Sequence, residues 1–425
     1  MVIKNFNSLS LTKEREFLLK ALNYGLEKIQ PKNYLKEKIK FYKSVFKIYD
    51  KVYDLNNFKD VYLIAYGKGS SLISKYLEDN FKDFLKEGYV IDTQKTDFKK
   101  IDFTLGTHPL PSKENLIFTE KVIKRFEGNL KENDLVIVIT CGGGSVLFEK
   151  PAKIGLEEII KINEELLKSG ADIYEMNTVR KHLSLVKGGG LAKILYPAKI
   201  ISLILSDIPG DDISFIASGP TVKDETTLKE AIEILRKFNL KNVKEEWLIE
   251  TPKEDIYFKN VDYFLLLSNK DILNEIKDFL KRNGFETEIL TYTLRGNVKE
   301  IAEKFINLKT ENKIYLCGGE TTVEVKGRGI GGRNQELVLW FLKFLKEEPR
   351  KTIFISFNTD GIDNTEFGGA LGDLISLKKT EEMKLSIDEF LENNDSFNFF
   401  KKINDGIITG KLGSNVSDIM ILANF

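Results

Sequence analysis

The sequence predicts an α/β protein made of two domains. Two apolar runs, Val61–Tyr66 and Leu135–Thr140, contain no charged residue, which is typical of strands buried on both faces of a parallel sheet. Each run is followed by a glycine turn and then by a segment with helical spacing, so strands and helices alternate. The chain has 425 residues, whereas one hydrophobic core rarely supports more than about 250 to 300 residues. Two domains are therefore expected.

We place the domain boundary near residue 250. Residues 1–250 are predicted to form a doubly wound, mostly parallel α/β domain, and residues 251–425 a smaller α/β domain with a mixed sheet. Apolar positions at helical spacing predict two amphipathic helices at the start of the chain, and we expect residues 1–55 to pack on the second domain. Strands at 313–317 and 321–325, separated by Gly-Gly-Glu, predict a hairpin-like pair.

Composition restricts the classes of partner. The chain has 64 Lys plus Arg and 64 Asp plus Glu, so no overall charge attracts nucleic acid or a membrane surface. Two Cys and two His are too few for a disulfide framework or a His/Cys zinc site. The chain shows no signal-peptide pattern, and no apolar run approaches the roughly 18 residues of a membrane span. We expect a soluble, cytoplasmic protein.

The loop Gly142, Gly143, Gly144 and Ser145 follows the second apolar run directly. Glycines let backbone N–H groups approach a ligand closely, the serine adds a hydroxyl group, and a helix start near Leu147 would add a partial positive charge. This pattern favours an anion, and phosphate above all. A tight strand-to-helix turn that binds nothing explains the loop equally well.

The turn after the first apolar run contains a cation, Lys68, between two glycines. It is not a Walker A loop, because Tyr62 stands where the first glycine of that motif is needed. Lys68 is long enough to reach a phosphate, although a lone lysine in a turn is more often a solvated surface residue. His108 lies in a loop made rigid by two prolines, and either a ligand contact or a structural hydrogen bond explains it.

Residues 176–191 combine several cations with a further glycine triplet. Arg180 and Ser184 would share one face of a helix, and Arg180 has the geometry for a two-pronged bond to a carboxylate or phosphate. His182 and Lys187 add to this cationic segment. Residues 218–219 form another small-residue loop.

Acidic residues follow two predicted strands. Asp207 comes after the strand Lys199–Leu205, and Asp360 follows a strand at 352–357. Carboxylates at the ends of strands beside anion loops suggest Mg²⁺ or a general base. The alternative is ordinary turn chemistry, because Asp, Pro and Gly are common turn residues.

Gly327, Gly329 and Gly332 match G-x-G-x-x-G, the dinucleotide fingerprint. An acid that holds a ribose should follow about 20 residues later, but Asp360 lies 28 residues after Gly332. Two arginines within the segment also suit charged oxygen groups better than a nicotinamide cofactor. We therefore discount this match.

Five blocks of the sequence, taken together, resemble the type 2 glycerate kinases, whose carboxyl-terminal half is called the MOFRL domain. The blocks are ITCGGGSVLFEKP, NTVRKHLSLVKGGGLA, LSDIPGDDISFIASGPT, CGGETTVEVKGRGIGGRNQEL and NTDGIDNTEFGGALGD. The resemblance runs in order from about residue 66 to the carboxyl terminus. It implies two α/β domains around a cleft, ATP with Mg²⁺ as cofactors, and phosphorylation of D-glycerate, usually at the 2-hydroxyl group.

The resemblance also implies site residues. The catalytic candidates are Lys68, Asp207, Arg333 and Asp360, and Asp207 and Asp360 are also the candidate metal ligands. The substrate-binding candidates are Arg180, His182, Lys187, Ser218 and Gly219. The nucleotide-binding candidates are Gly142, Gly143, Gly144, Ser145, Gly319 and Glu320. Phosphoryl transfer depends on positioning and charge neutralisation, which glycine loops, a lysine, arginines and an acid can supply.

The predicted roles follow from this chemistry. The loop 142–145 holds phosphates, Lys68 and Lys187 offset their charge, and Arg180 and Arg333 bind the glycerate carboxylate or the transferred group. One of the two candidate aspartates orients the attacking hydroxyl group or carries Mg²⁺, and which one does so stays open.

Two other functions stay open at this point. Some members of the family were long named hydroxypyruvate reductases, which would make this chain an NAD(P)H-dependent oxidoreductase. A non-catalytic nucleotide or sugar-phosphate sensor would use the same loops without turnover. In all three cases we expect small-molecule partners, no nucleic acid or membrane partner, and a homodimer.

Overall fold

A computed structural model describes residues 1–240 and 242–425, which form two compact units. The parallel-sheet unit comprises Leu35–Ser206 and Asp211–Leu266, and the mixed-sheet unit comprises Met1–Tyr34, Asp207–Gly210 and Leu267–Phe425. The predicted fold class, α/β with one mostly parallel and one mixed sheet, is confirmed. Within the described residues, no helix combines the length and the apolar character that crossing a bilayer requires.

The described residues form strands and helices that alternate along most of the chain. The strands are β1 Ile39–Tyr42, β2 Val45–Ile48, β3 Lys51–Asp54, β4 Val61–Tyr66, β5 Leu85–Asp92, β6 Ile101–Leu105, β7 Leu135–Thr140, β8 Lys199–Leu205, β9 Val261–Leu267, β10 Glu286–Asn297, β11 Lys313–Thr322, β12 Thr352–Asn358, β13 Gly369–Asp373, β14 Gly406–Ile407 and β15 Asp418–Asn424. The helices are α1 Phe6–Leu9, α2 Lys13–Lys28, α3 Pro31–Lys38, α4 Ser70–Phe81, α5 Lys113–Phe126, α6 Gly144–Leu147, α7 Leu156–Lys168, α8 Ile173–His182, α9 Gly190–Leu195, α10 Leu228–Lys237, α11 Asn269–Arg282, α12 Val298–Ile306, α13 Arg333–Glu347, α14 Leu374–Glu382, α15 Ile387–Glu392 and α16 Ser396–Ile403.

The parallel sheet has the strand order β6-β5-β4-β7-β8-β9, with parallel registers from β6 through β8. Every residue of β4 and β7 is buried, as their unbroken apolar sequences predict. The chain adds β5 and β6 on one side of β4 and then returns to place β7 on its other side. The β4/β7 boundary is therefore the topological switch point, where ligands of doubly wound sheets bind.

The second predicted amphipathic helix is only partly present. Helix α3 ends at Lys38, and β1 to β3 then form a three-stranded antiparallel sheet where we predicted further helix. In β2 the side chains alternate between half-buried and buried, with Phe46 and Ile48 inward, which is the two-residue period of a strand. The prediction was wrong because strands this short contain too few residues to separate a period of two from a period of 3.6.

The mixed sheet has the strand order β10-β11-β15-β12-β13-β14, in which only β10 and β11 are parallel. The hairpin predicted at 313–325 is instead the single strand β11. Gly319 continues this strand because it lies against β10, where a Cβ atom would be 2.2 Å from the carbonyl oxygen of Leu294. Glycine serves here for close strand packing and not for a turn.

The two units are not separated by a single boundary near residue 250, because each contains more than one segment of the chain. Strand β9 belongs to the parallel sheet although it follows the predicted boundary, whereas residues 1–34 belong to the mixed-sheet unit. Arg15 of α2 is completely buried there, and it donates to Asp373 at 2.6 Å and to Asp405 at 2.9 Å. This buried ion network fixes the opening helix to the mixed-sheet unit, because an unpaired charge inside the protein is very costly.

Candidate active site

Two glycine turns meet at the carboxyl ends of β4 and β7, at the switch point. The backbone N–H of Lys68 donates to the carbonyl oxygen of Gly142 over 2.9 Å. Gly67 has φ +108°, and a Cβ atom there would lie 2.4 Å from the carbonyl oxygen of Cys141, so only glycine permits this approach. The structure thus brings together Lys68 and the glycine loop, residues 142–145, which lie far apart in the sequence.

The side chains of Lys68 and His108 converge on Gly143. A Cβ atom on Gly143 would lie 2.9 Å from Cδ2 of His108 and 3.6 Å from Cε of Lys68. Burial, assisted by the charge of Lys68, lowers the pKa of His108 to about 4. The imidazole is therefore neutral at pH 7 and can donate one hydrogen bond beside a cation. This residue is absent from the site predicted above, although its proline-rigid loop marked it in the sequence.

Asn115 fixes the loop that carries His108. Its side chain is completely buried, and it bonds both the N–H and the carbonyl oxygen of Thr107 at 3.0 Å. The same amide group also donates to the carbonyl oxygen of Val146, just after the glycine loop, at 3.0 Å. One buried side chain therefore determines where His108 lies relative to the glycine loop.

The segment Ala217, Ser218 and Gly219 lies against the glycine loop in a strained conformation. All three residues have positive φ angles, 51°, 62° and 60°, which is costly for Ala and Ser. A Cβ atom on Gly144 would lie 2.8 Å from Cβ of Ala217. The hydroxyl group of Ser218 is buried and donates to Oδ1 of Asn177 at 2.8 Å. The two predicted substrate-binding residues therefore border the loop, but the serine hydroxyl is used inside the protein.

Arg180 lies in the last turn of α8, and its Nε donates to Oδ1 of Asn163 at 2.8 Å. Burial lowers the pKa of Arg180, and the charge of Glu149 opposes this effect. The guanidinium group nevertheless stays charged at neutral pH. With Nε fixed, its terminal N–H groups form the fork that matches a carboxylate or a phosphate.

Two other predicted substrate-binding side chains are buried and already paired in this structure. Lys187 is 2% exposed and forms an ion pair with Glu149, whose carboxylate also accepts from the Ser184 hydroxyl at 2.6 Å. His182 is fully buried, and its Nδ1 lies 2.8 Å from the carbonyl oxygen of Thr178. Helix α8 ends at His182, so Ser184 does not share a helical face with Arg180. Both side chains are used for contacts within the protein.

In the mixed-sheet unit, Arg333 begins α13 and has carboxylates on two sides. Its Nε and Nη2 donate to Asp418 at 2.6 and 3.1 Å, and its Nη1 donates to Glu320. Burial raises the pKa of Asp418 to about 7, and Arg333 opposes this effect. The Glu320 side chain is 43% exposed, whereas that of Asp418 is fully buried. An incoming anion would therefore compete with Glu320 for the guanidinium group.

Asp363 was not predicted, yet it lies at the start of the helix that carries Arg333. Its carboxylate accepts from the backbone N–H and from Nε2 of Gln335, both at 3.0 Å. Burial raises the pKa of Asp363. A Cβ atom on Gly332 would lie 2.2 Å from Cγ of Asp363, so glycine is required at this position. The acid-rich segment NTDGID, residues 358–363, marks this region in the sequence. Of its two acids, we selected Asp360 and not Asp363 from the sequence.

A pocket of about 410 Å³ lies beside Arg333, within the range of small-molecule sites. Asp363, Glu336 and Asn394 also line it. Burial raises the pKa of Glu336 to about 6, and the charge of Asp363 acts in the same direction, whereas hydrogen bonds from Asn394 oppose it. This pocket therefore combines one arginine with the Glu336 carboxylate, whose pKa is about 6, and with Asp363, whose pKa burial also raises.

The dinucleotide match falls on the Gly-rich turn, residues 326–330, whose backbone N–H groups are used within the protein. The N–H groups of Lys326 and Gly327 donate to Oδ1 of Asn394 at 2.8 and 2.9 Å. The N–H of Arg328 donates to Oδ1 of Asn393 at 3.0 Å, and that of Gly329 donates to the carbonyl oxygen of Asn393 at 2.8 Å. The N–H of Ile330 donates to Oδ1 of Asp395 at 2.9 Å. Cβ atoms on Gly327 and Gly329 would lie 2.2 and 2.4 Å from residues 393–395. These glycines permit close internal packing, and the backbone N–H groups of residues 326–330 are occupied within the protein.

Two further nucleotide-binding candidates, Gly319 and Glu320, lie inside β11 and not in a turn. Gly319 packs against β10, and its carbonyl oxygen accepts from the hydroxyl of Ser417 at 2.7 Å. Glu320 pairs with Arg333. The structure therefore explains both residues by contacts within the mixed-sheet unit, and it does not arrange them as an anion-binding loop.

The two candidate metal ligands, Asp207 and Asp360, both belong to the mixed-sheet unit and are partly exposed. Oδ1 of Asp360 accepts from the backbone N–H of Ile362 at 2.9 Å. Within residues 1–240 and 242–425, no group of three or more His, Cys, Asp or Glu side chains is placed to hold a metal ion. Mg²⁺ usually takes one or two carboxylates and completes its shell with phosphate oxygens and water.

In a comparison with known protein families, two segments of the chain match a family. Residues 17–248 match a domain of unknown function, DUF4147, and residues 313–418 match the MOFRL family. Together they cover most of the chain in the order that the sequence motifs predicted.

Several relatives are similar over nearly the whole chain. A glycerate 2-kinase of Picrophilus torridus is 36% identical, with 99% of both chains covered, and a D-glycerate 2-kinase of Thermotoga maritima is 38% identical, with 86% of this chain and 91% of the relative covered. A crystal structure of a glycerate kinase from Thermotoga maritima matches with a TM-score of 0.84 and 34% identity, over 96% of this chain and 99% of that one. Other relatives carry the name putative hydroxypyruvate reductase.

Proposed function

The chain belongs to the type 2 glycerate kinase family, and from this membership we propose that it transfers the γ-phosphoryl group of ATP to the 2-hydroxyl group of D-glycerate. The observation that carries the proposal is similarity to glycerate 2-kinases across nearly the whole length of both chains. It extends to the three-dimensional fold of a glycerate kinase. The enzyme class is thus a phosphotransferase that acts on an alcohol group.

We assign the phosphates of the nucleotide to the parallel-sheet unit. The approach of Lys68 and His108 to Gly143 supports this role, because it combines a cation, a neutral donor and a flexible backbone at the switch point. Lys68 would neutralise charge on the transferred group, and such electrostatic stabilisation is the main task of a phosphotransferase. The fork of Arg180 is suited to a second anionic group of the reactants.

We assign the binding of glycerate oxygens to the pocket beside Arg333. Arg333 would bind the carboxylate of glycerate or the transferred group, after Glu320 yields one N–H group to it. Asp207 or Asp360 would orient the 2-hydroxyl group for attack or supply a carboxylate oxygen to Mg²⁺. The paired environment of Lys187 favours a structural role for it, in which it neutralises Glu149.

We propose that Mg²⁺ enters with the nucleotide and that phosphate oxygens supply most of its ligands. Mg²⁺ bound to nucleotides generally keeps one or two protein carboxylates at most. When bound, the ion would neutralise phosphate charge. The cytoplasmic location and the homodimer stay predictions.

The geometry of the Gly-rich turn argues against the reductase alternative. The backbone N–H groups of residues 326–330 donate to residues 393–395, so these donors are not available to a dinucleotide. A non-catalytic sensor would bind nucleotide with the same loops. We consider it the weaker alternative because the relatives named above are kinases.

Incubation of the purified protein with D-glycerate and Mg-ATP, without nicotinamide, tests the proposal. We expect formation of ADP and of 2-phosphoglycerate, with the isomer identified by NMR. Formation of 3-phosphoglycerate would overturn the regiochemistry alone. Consumption of NADH with hydroxypyruvate and no use of ATP would establish the reductase, and tight ATP binding without turnover on several hydroxy acids would establish the sensor.

A further inference from the structure

Asn394 joins the Gly-rich turn to helix α13 through one side chain. Its Oδ1 accepts from the backbone N–H groups of Lys326 and Gly327 at 2.8 and 2.9 Å. Its Nδ2 donates to both carboxylate oxygens of Glu336 at 3.0 and 3.2 Å, and to the carbonyl oxygen of Glu324 at 3.3 Å. Both ends of the amide group are therefore fully used, which fixes its orientation.

The surroundings of this contact are buried. Asn394 is 8% exposed and Glu336 is 5% exposed, so the hydrogen bonds between them are protected from water. Asn394 has φ +50°, a left-handed conformation that Asn and Asp tolerate better than most residues and that costs Gly nothing. Substitution by Asp or Gly therefore changes the side chain without adding backbone strain.

The contact lies where the pocket beside Arg333 is built. Glu336 follows Arg333 by one helical turn, and the Gly-rich turn leads directly into Gly332 and the start of α13. Glu336 and Asn394 both line this pocket, and both also line a neighbouring pocket of about 380 Å³ that includes Trp340. Movement of either side chain would change the shape of the site around the guanidinium group.

We propose that Asn394 is a positioning residue for the pocket beside Arg333. It holds the Gly-rich turn against α13 and fixes the carboxylate of Glu336 at the edge of the pocket. The proposal rests on the proposed function, because that function assigns the pocket to glycerate. Asn394 acts through Glu336 and the turn, and it does not contact the reacting atoms.

An exchange of donor and acceptor tests the proposal. Asn394→Asp keeps an oxygen for the turn but places a carboxylate against Glu336, so two acceptors face each other. Glu336→Gln in the same chain supplies an amide donor and restores the bond in the reverse direction. Contacting residues typically couple strongly, so we expect Asn394→Asp to lower kcat/KM for D-glycerate by about 30-fold, and the double variant to recover most of this loss.

The Michaelis constants separate positioning from a general structural defect. We expect KM for D-glycerate to rise by about tenfold in Asn394→Asp, with KM for ATP changed by less than about twofold. Asn307→Asp, the same change at an exposed helix end of this unit, serves as the matched control and should retain wild-type kinetics. Equal loss in the single and double variants, or activity of Asn394→Asp within about threefold of wild type, would overturn the proposal.

Hydrogen exchange tests the same proposal without relying on catalysis. Asn394→Gly removes the acceptor, so exchange of the N–H groups at 326 and 327 should become at least about tenfold faster, while Asn394→Asp should leave it slow. Unchanged exchange in Asn394→Gly would refute the contact itself. If the wild-type protein failed to phosphorylate glycerate while exchange behaved as expected, the proposed function would fail and the structural assignment of Asn394 would stand.

Discussion

Burial acts on opposite charges at the two candidate sites of the molecule. In the parallel-sheet unit it lowers the pKa values of the cationic groups Arg180, Lys187 and His108. In the mixed-sheet unit it raises the pKa values of the carboxyl groups of Glu336 and Asp418. The first region therefore disfavours additional positive charge, and the second disfavours additional negative charge.

This difference indicates which ligand groups each region suits. An anion would suit the buried guanidinium group of Arg180, whereas hydroxyl groups would suit the carboxylates around Arg333. Phosphates match the first environment, and the hydroxyl groups of glycerate match the second, where Arg333 would offset the charge of its carboxylate. The comparison therefore supports the division of roles proposed above, and it can be tested from each side.

The largest effect is expected from Lys68→Ala. Removal of a charge that stabilises the transferred phosphoryl group typically costs about 10²- to 10³-fold in kcat, and we expect a loss of about 10³-fold in a protein that stays folded. Steady-state kinetics together with circular dichroism check this. Lys113→Ala, an exposed lysine of the same unit, is the control. Full activity of Lys68→Ala would remove the parallel-sheet unit from the phosphate role.

Arg333→Lys tests the other region. Lysine keeps the charge but loses the two-pronged contact with Asp418 and the additional bond to Glu320. We expect kcat/KM for D-glycerate to fall by about 10²-fold, with a smaller change in KM for ATP. A selective rise in KM for ATP would reverse our assignment of the two regions, and isothermal titration with each ligand would show this directly.

A smaller effect, on stability alone, is expected from Glu149→Gln. It leaves Lys187 buried without its carboxylate partner, and breaking a buried ion pair typically costs about 3 to 5 kcal/mol. Lys187→Met in the same chain should recover most of the lost stability. Glu120→Gln removes an exposed pair with Lys124 and should cost less than about 1 kcal/mol. The apparent melting temperature of each variant reports its change in stability.

The same experiment distinguishes a structural role of Lys187 from a ligand-binding role. Should Glu149→Gln keep wild-type stability yet lose activity, Lys187 would be a ligand-binding group, as the sequence predicts. Similar losses in all variants would instead indicate that this ion pair is no more important than those on the surface.

Long or fully buried elements could be predicted from the sequence. The apolar runs of β4 and β7 and the capped helix α10, with its clear helical period, leave few alternatives. Short strands such as those of residues 39–54 could not, because four residues do not define a period. The glycines of β11 were also ambiguous, since their use for close packing against β10 depends on a partner strand that the local sequence does not reveal.

The site was predictable only in part, for a related reason. Glycine loops and clustered cations are visible as local motifs, and the motifs identified Lys68, Arg180 and Arg333 directly. Their partners come from distant positions: Asp418 lies 85 residues after Arg333, and Lys187 lies 38 residues after Glu149. Nothing in the segments around these acids distinguishes them from ordinary strand and loop residues, so only the fold reveals which charges are already neutralised.

The smallest effect is a pair of opposite pH dependences. Because the pKa of His108 falls from 6.5 to about 4 on folding, its contribution to stability is present above pH 6.5 and is lost as the pH falls towards 4. The pKa of Glu336 rises from 4.5 to about 6, so its contribution is present below pH 4.5 and is lost as the pH rises through 6. The change in the pKa of Glu336 corresponds to about 2 kcal/mol in the free energy of unfolding.

Variants that cannot titrate should reveal both slopes. The melting temperature of His108→Asn relative to wild type should increase as the pH falls from 6.5 to 4, whereas that of Glu336→Gln should increase as the pH rises from 4.5 to 6. Lost hydrogen bonds shift each curve by a constant and leave its slope unchanged. Glu303→Gln, at an exposed position of α12, should give a flat difference. Parallel slopes for the first two variants would show that burial does not act oppositely on the two regions, and the comparison on which the assignment of ligands depends would fail.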